Sequence, residues 1–421
     1  MSFFSKISPS RAPNPSDGVV LQLHKRETSS YGSWTQPGIC TVTFCEGDAK
    51  ACFESLKPKA RQVIDANPWI VGRFNSNRQL VHPETGSDAL VAELLSLQRS
   101  TGVSRSMPYE DLVRATGGNP ALTVQDGGQL QKSGGIVTKL VIIEPERPGG
   151  EFAIVFSMSH VAADGHDYYR IFNMLVNRSI SVEKMIAQRV SEFEERESEW
   201  IGASDFQWMV GGVFVKAVLS GMVFGPKSHW HCYFVDETKV AEAKAKAKAD
   251  GAPFVSTNDV LTSHFLNATA ARVAMMVVNF RGKTELGIDD SNAGNYEGSL
   301  LLDPVNYAEP AKIRACLAAG VPYTRQTASE PLPSFCGSCP LAFISSWASF
   351  PFGIFLPGVS RQVLHLPVMT MPDVFDLAVV FKPVPGKLGV LYLAKRATPE
   401  ALTAAGTPLG GPLDQTIFPG S

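Results

Sequence analysis

The residues best suited to chemistry form a short motif around one histidine. In the run Phe156-Ser-Met-Ser-His160-Val-Ala-Ala-Asp164-Gly165, an aspartate and a glycine follow closely behind His160, between a predicted strand and a predicted helix. A neutral imidazole, with an ordinary pKa of about 6.5, can accept the proton of a hydroxyl or amine that attacks a thioester carbonyl. Gly165 leaves room beside the backbone for a narrow ligand such as a pantetheine arm. The motif predicts direct acyl transfer with His160 as general base.

Other roles for His160 stay open at this point. A histidine at a strand end can be purely structural, half-buried and held by one backbone hydrogen bond. A metal site built on His160, Asp164 and His166 would need more ligands, and the sequence offers no further ligand cluster. We therefore predict no bound metal.

The motif must be positioned by strands and helices that alternate irregularly in the first half of the chain. Runs rich in β-branched and aromatic residues predict strands at 19–23, 39–44, 136–143 and 152–158. Helical periodicity predicts helices at 49–67 (with a break near Pro58), 89–97 and 168–176. A glutamate-rich solvated helix is predicted at 182–199. The apolar segment 208–224 predicts a buried or loop-adjacent helix, and a surface that contacts a membrane or an apolar substrate stays open as the alternative.

The break Gly225-Pro226 separates the chain into two predicted lobes. We predict an N-terminal lobe at 1–200, a crossover at 201–226 and a C-terminal lobe at 227–421, with exchange of strands near 360–385 left open. The second lobe is predicted to hold a strand at 231–235, a helix at 238–249, a strand at 273–280 and a hairpin of 374–381 and 388–393. Ser256 and Asp259 predict a capping box that begins another helix. No dinucleotide, Walker A or GxSxG motif follows a strand, which argues against nucleotide folds and serine hydrolases.

Composition limits the remaining function classes. The 421 residues carry a net charge of -2, without the basic surface that nucleic acid requires. No apolar run is long enough for a transmembrane helix. The Ser- and Pro-rich start at 1–17 lacks the apolar core of a secretory signal, so we predict a cytoplasmic protein and leave a short organelle-targeting extension open. The seven cysteines are predicted to be reduced and mostly buried, and the pair Cys336 and Cys339 to be ordinary loop residues.

Several segments, taken together, resemble one superfamily. The His160-x-x-x-Asp164-Gly165 element is similar to that of BAHD acyltransferases, nonribosomal-peptide condensation domains and chloramphenicol acetyltransferase. Four further segments match the BAHD-like branch in order and spacing: Asn67-Pro-Trp-Ile-Val-Gly-Arg73, Ser256-Thr-Asn-Asp259, Val278-Asn-Phe-Arg281 with Ala293-Gly-Asn-Tyr296, and Ser345-Ser-Trp347. The resemblance covers residues 20 to 395.

The resemblance implies a mixed α/β fold of two chloramphenicol-acetyltransferase-like lobes, with His160 in a tunnel between them. Asp164 would form a structural salt bridge with Arg281, Ser345 would hydrogen-bond the developing oxyanion, and Trp347 would wall the tunnel or donate its N–H. The residues implied to contact the donor are Gly165, Ser256, Asn258 and Asn279. The implied reaction uses acyl-CoA as co-substrate and a small or medium alcohol as acceptor, in a monomer with no permanent cofactor.

Two departures mark the chain as a divergent, BAHD-like member. Ser159 stands where condensation domains usually carry a second histidine, which argues against the peptide-forming branch. The stretch 350–358 replaces the structural "DFGWG" element of plant BAHD enzymes. The alternatives that remain are an N-acyltransferase, a carrier-protein donor, a lipid or wax-ester type of enzyme with a lipophilic acceptor, and a non-catalytic binding protein.

Overall fold

The computed structural model describes residues 18–29, 32–99, 101–147, 149–318, 320–325, 331–334, 339–370 and 374–421. The Ser- and Pro-rich segment 1–17 and Cys336, for which predictions were made above, lie outside the described residues. The strands are β1 (Val19–Leu21), β2 (Ile39–Gly47), β3 (Arg73–Phe74), β4 (Leu80–His82), β5 (Leu95–Gln98), β6 (Thr138–Ile143), β7 (Phe152–Met158), β8 (His229–Val235), β9 (Val273–Asn279), β10 (Glu297–Leu302), β11 (Leu341–Ser346), β12 (Val359–Pro367), β13 (Asp376–Val384), β14 (Lys387–Ala394) and β15 (Leu409–Pro412).

The helices lie between and around these strands. They are α1 (Lys25–Thr28), α2 (Ala49–Ala66), α3 (Asp88–Leu94), α4 (Tyr109–Thr116), α5 (Gly127–Ser133), α6 (Gly165–Val176), α7 (Ser191–Ile201), α8 (Ala203–Val210), α9 (Gly212–Phe224), α10 (Glu237–Ala249), α11 (Thr257–Thr269), α12 (Pro304–Tyr307), α13 (Pro310–Leu317) and α14 (Pro399–Leu402), with short 3₁₀ turns at Ser33–Thr35 and Pro68–Val71.

The first large sheet has five strands in the order β12-β2-β7-β6-β5. Its central strand β7 is buried at every position, because apolar side chains cover both of its faces. The β5–β6 pair is parallel and the other pairs are antiparallel. Strand β12 comes from the second half of the chain but pairs with β2. This sheet delivers the His160 motif from the end of β7 to the start of α6.

The second large sheet has seven strands in the order β10-β9-β11-β13-β14-β8-β15. Strands β9, β11 and β13 run parallel, so their carboxyl ends meet at one edge of the sheet. Asn279 ends β9, and Ser345 lies near the end of β11. One apolar cluster contains side chains of both large sheets, for example Val42, Val155, Val379 and Leu391. The architecture is a mixed α/β fold; the lobe boundaries at 200 and 226 stay a prediction.

Three helix predictions were wrong in extent or environment. Helix α2 runs through Pro58 without a break, because Pro58 is exposed while the buried stripe that includes Leu56 and Ala60 continues past it. The predicted helix at 89–97 ends at Leu94, and the chain continues as β5 beside β6. The predicted solvated helix begins only at Ser191, and its Phe193 and Trp200 are buried. The prediction that most cysteines are buried thiols is confirmed, since five of the six described cysteines are buried and none of the six is in a disulfide.

The apolar segment 208–224 differs from the buried helix that was predicted first and agrees with the surface alternative. It forms the end of α8 and all of α9, and several of its large apolar side chains are exposed rather than buried. Across the described ranges, no single helix is long and apolar enough to cross a membrane. Helices Ala203–Val210 and Gly212–Val223 are long and apolar enough only when they are taken together, and they meet at a bend of 47°.

Candidate active site

His160 is held in a defined orientation by the amide of Asn295. The His160 Nδ1 lies 3.1 Å from Asn295 Oδ1. The Asn295 Nδ2 donates to Glu27 Oε1 at 2.8 Å and to the His160 carbonyl at 2.9 Å. Flipping this amide would place its oxygen against two acceptor oxygens, so Oδ1 must face the ring. Because Oδ1 only accepts, His160 Nδ1 carries the proton and Nε2 carries the free lone pair.

A buried ion pair fixes Asn295 in turn. Glu27, from the short helix α1, pairs with Arg189 at 3.1 Å, and both side chains are almost completely buried. Burial alone would raise the pKa of Glu27, but Arg189, His24 and the hydrogen bond from Asn295 together hold the pKa below its usual value. Arg189 also donates to the carbonyls of Ala162 and Ala293. Glu27 is therefore an ionised acceptor that dictates which way the Asn295 amide points.

The ion pair implied between Asp164 and Arg281 is present. Arg281 Nη1 lies 2.7 Å from Asp164 Oδ2, and Arg281 Nη2 lies 3.0 Å from Asp167 Oδ1, with all three side chains buried. Burial would raise the pKa of Asp164, but Arg281 lowers it below its usual value. Asp164 also accepts from the backbone N–H of Tyr296 at 3.1 Å and caps α6. Its carboxylate therefore ties the motif to the second half of the chain, and the described contacts of the His160 ring do not include it.

The same carboxylates belong to the one group with metal-ligand spacing among the described residues. Atoms of Asp164, His166 and Asp167 lie within 4.8 Å of one another. The Arg281 guanidinium already pairs with both carboxylates. A divalent cation there would have to displace a buried arginine, so the donor set fits an ion pair better than a metal.

A cavity of about 840 Å³ opens beside this motif. Its wall combines the start of α6 with residues of the second large sheet and α11. The sequence-predicted residues in the wall are Asp164, Gly165, Ser256, Asn258, Asn279, Ser345 and Trp347. His160 and Arg281 are not part of the wall. The His160 ring lies next to the wall residue Glu297, whose Oε1 is 3.7 Å from His160 Nε2.

Two hydrogen-bond donors in the wall have no partner among the described residues. Ser345 precedes the end of β11, and Trp347 follows it, fixed by its backbone N–H to Val380 at 2.7 Å. A Cβ placed on Gly165 would lie 3.7 Å from Trp347 Nε1 and 3.4 Å from a Phe350 ring atom. The start of α6 therefore lies beside the Trp347 indole, at a distance that a Cβ would also tolerate. The Ser345 hydroxyl and the Trp347 indole N–H are free to bind an oxygen in the cavity.

A cationic region lines another part of the cavity, at the start of α11. Lys244, Lys283 and Arg314 all lie in the wall. Lys244 donates to Thr257 Oγ1 at 2.8 Å, and Arg314 pairs with Asp259 at 2.7 Å. Lys283 has no partner among the described residues, and its pKa is lowered by partial removal from water and by the nearby Arg314. An anion bound here would relieve that repulsion and would face the positive end of a helix.

Ser256 and Asn258, two of the residues expected to contact the donor, lie at this helix start. Ser256 forms the predicted capping box with Asp259, so its hydroxyl is already engaged. The Asn258 Oδ1 is buried and lacks a hydrogen-bond partner among the described residues. Asn279 accepts from the Arg281 backbone N–H at 3.0 Å. Of these residues, Asn258 is best placed to gain a new partner from a ligand.

The comparisons with known proteins place the chain by its fold. The chain matches no protein-family model, and no curated protein is significantly similar to it in sequence. TRI101 of F. sporotrichioides, complexed with coenzyme A and T-2, has a TM-score of 0.58 at 14% identity, covering 92% of this chain and 98% of that chain. Polyketide synthase associated protein 5 from Mycobacterium tuberculosis has a TM-score of 0.56 at 16% identity, covering 93% and 98%. The condensation domain from the Monacolin K polyketide synthase MokA has a TM-score of 0.57 at 14% identity, covering 92% and 96%. The chain has the two-lobed chloramphenicol-acetyltransferase-like fold.

This fold confirms the mixed two-lobed architecture that the sequence motifs implied. The identities of 14% and 16% establish the fold alone, so the role of each side chain rests on its geometry in this chain. Sequence reasoning missed Glu27, Arg189 and Glu297 altogether. Asn295 lies inside a quoted motif segment, but nothing local to that segment indicates that its amide faces His160.

Proposed function

We propose that the protein is an acyltransferase that moves an acyl group from acyl-CoA to a hydroxyl acceptor, with His160 Nε2 as general base. The observation that carries the proposal is the Asn295 contact, which leaves the lone pair on Nε2, 3.7 Å from the carboxylate of the wall residue Glu297. A structural histidine would not need this tautomer to be fixed by a buried Glu27–Arg189 pair. The fold supports the reaction class, because coenzyme A is bound in the TRI101 structure that this chain resembles.

The donor would bind along the cavity from the cationic region towards the motif. Lys283 and the start of α11 suit the phosphates of CoA. The pantetheine arm would then pass Asn258, Asn279 and Gly165, and the thioester would lie beside Ser345 and Trp347. All of these residues line one continuous cavity.

The chemical step follows from the two sides of this cavity. The acceptor hydroxyl would transfer its proton to His160 Nε2 while its oxygen attacks the thioester carbon. Ser345 and Trp347 would donate to the resulting oxyanion, and a preorganised donor of this kind contributes about 3 kcal/mol. Collapse of the tetrahedral intermediate would expel the CoA thiolate, which recovers the proton from Nε2. The Glu297 carboxylate, 3.7 Å from Nε2, would stabilise the transient imidazolium.

Glu297 also favours a second candidate, transfer to an amine. Glu297 lines the cavity, and its Oε1 lies 3.7 Å from His160 Nε2. A carboxylate there would attract an ammonium group and hold it beside the base. The two candidates therefore differ in acceptor but share the donor, the base and the oxyanion donors.

The test is release of free CoA thiol from acetyl-CoA and longer acyl-CoAs over a matched panel of alcohols and amines, with products identified by mass. Thiol release that requires an alcohol would support the first candidate, and release that requires an amine would support the second. The absence of both thiol release and CoA binding under every condition would refute the acyl-CoA assignment. His229→Ala is a matched control for His160→Ala, because His229 is exposed and does not line the cavity.

A further inference from the structure

Helices α8 and α9 present an exposed apolar face to solvent. The face consists of Val210, Val215, Leu219, Met222 and Val223, which are 62%, 39%, 54%, 52% and 70% exposed. The four residues on α9 recur at intervals of three or four and so form one stripe along the helix. Scattered exposed apolar residues are ordinary on a protein surface, but a contiguous stripe of this kind marks an interaction site.

The stripe is held outward by packing on the other side of α9. Ala217 is buried in the apolar cluster that joins the two large sheets, with Phe214 and Val218 packed against that cluster. Gly221 approaches the backbone so closely that an added Cβ would lie 2.4 Å from the carbonyl oxygen of Val374. The helix therefore cannot roll to bury its exposed stripe without losing this contact.

The charges around the stripe favour an anionic partner. The segment from 206 to 235 contains no aspartate or glutamate, although the whole chain has a net charge of -2. Its lysines, Lys216 and Lys227, are both exposed. Lys216 lies three residues before Leu219, at the margin of the stripe, so a twofold dimer through this face would bury the lysine of each copy against the partner's apolar side chains. A second copy of the chain is therefore a poor occupant, whereas an anionic surface is complementary.

The dimensions favour a lipid surface that the helices lie on. Helices of eight and thirteen residues span roughly 12 and 20 Å, and the apolar core of a bilayer is about 30 Å thick. The bend of 47° prevents the pair from acting as one straight span. We propose that the α9 stripe docks on the surface of a bilayer that contains anionic lipid. The apolar side chains would enter the headgroup region, and the two lysines would meet lipid phosphates.

Flotation with vesicles tests the proposal on the full chain and needs no turnover, so it stands or fails separately from the proposed enzyme activity. The protein should float with phosphatidylcholine vesicles that contain phosphatidylserine, and less with pure phosphatidylcholine. Leu219→Glu and Val223→Glu should each weaken partitioning by about tenfold, because each replaces an inserted apolar group with a charge. Lys216→Glu should weaken only the electrostatic part of vesicle binding, which added salt also removes.

Ile180→Glu is the matched control, because Ile180 is an exposed apolar residue outside the stripe, and it should float like wild type. Thermal melting confirms that each variant is folded. Loss of flotation in the stripe variants but not in the control supports the proposal. Absence of flotation in wild type overturns it, as does a dimer that Leu219→Glu dissociates in the absence of vesicle binding.

Discussion

Replacing Asn295 with leucine removes the contact that sets the tautomer of His160, together with the hydrogen bonds from the same amide to Glu27 and to the His160 carbonyl. The hydrogen bond from His160 Nδ1 to Asn295 Oδ1 spans 3.1 Å, and Asn295 is buried. Such a bond contributes about 1 kcal/mol, so its loss lets a large share of molecules carry the proton on Nε2, where it blocks the base. The ring also loses its fixed orientation. We expect kcat to fall about tenfold to a hundredfold. This loss is smaller than the roughly ten-thousandfold loss in a catalytic triad whose histidine is held in the wrong tautomer.

The assay is the steady-state rate of CoA thiol release with the accepted acyl-CoA and acceptor. Asn295→Leu should lower kcat while the affinity for CoA stays near that of wild type. In a His160→Ala background the same change should have little further effect on turnover, because the base it positions is absent. The control is Asn267→Leu, an asparagine that bonds to the Ser263 carbonyl on α11 and does not line the cavity. Equal losses of turnover in both backgrounds would refute the positioning role.

Four other substitutions test three separate parts of the site. Arg281→Leu leaves two buried carboxylates without their cation and should lower the free energy of unfolding by about 3 to 5 kcal/mol in urea titrations, whereas wild-type stability would refute the structural ion pair. Ser345→Ala and Trp347→Phe should each lower kcat with little change in the KM for acyl-CoA, with Ser345→Ala costing about a hundredfold if it is the oxyanion donor; an effect confined to KM would contradict that role. Lys283→Ala should raise the KM for acyl-CoA. It should not change the KM for an acyl-pantetheine, because that donor lacks the nucleotide phosphates. Equal effects on both donors would argue against phosphate binding.

The sequence was most informative where function depends on neighbours along the chain. The His160 motif, the capping box at Ser256 and strand β7 are all short-range patterns, and the structure has them where they were expected. The Asp164–Arg281 pair joins distant residues, and only the resemblance to known motifs indicated it. The fold class followed from several such motifs in the right order.

The network behind His160 could not be derived in this way. Glu27 and Asn295 are 268 residues apart, and neither lies in a pattern that indicates their contact. Their meeting depends on how α1 and the residues before β10 pack around the motif. Hydropathy likewise cannot distinguish a buried helix from one with an exposed apolar stripe, which is why both environments were open for residues 208–224 and the buried one was preferred wrongly.

The most direct test of the account compares wild type with His160→Ala in acceptor-dependent thiol release, with CoA affinity measured on both proteins. Removal of a general base lowers the rate about a hundredfold to ten-thousandfold, and the account predicts a loss in that range with CoA affinity unchanged. A His160→Ala protein that binds CoA and still turns over at the wild-type rate would contradict the assignment of His160 as the base.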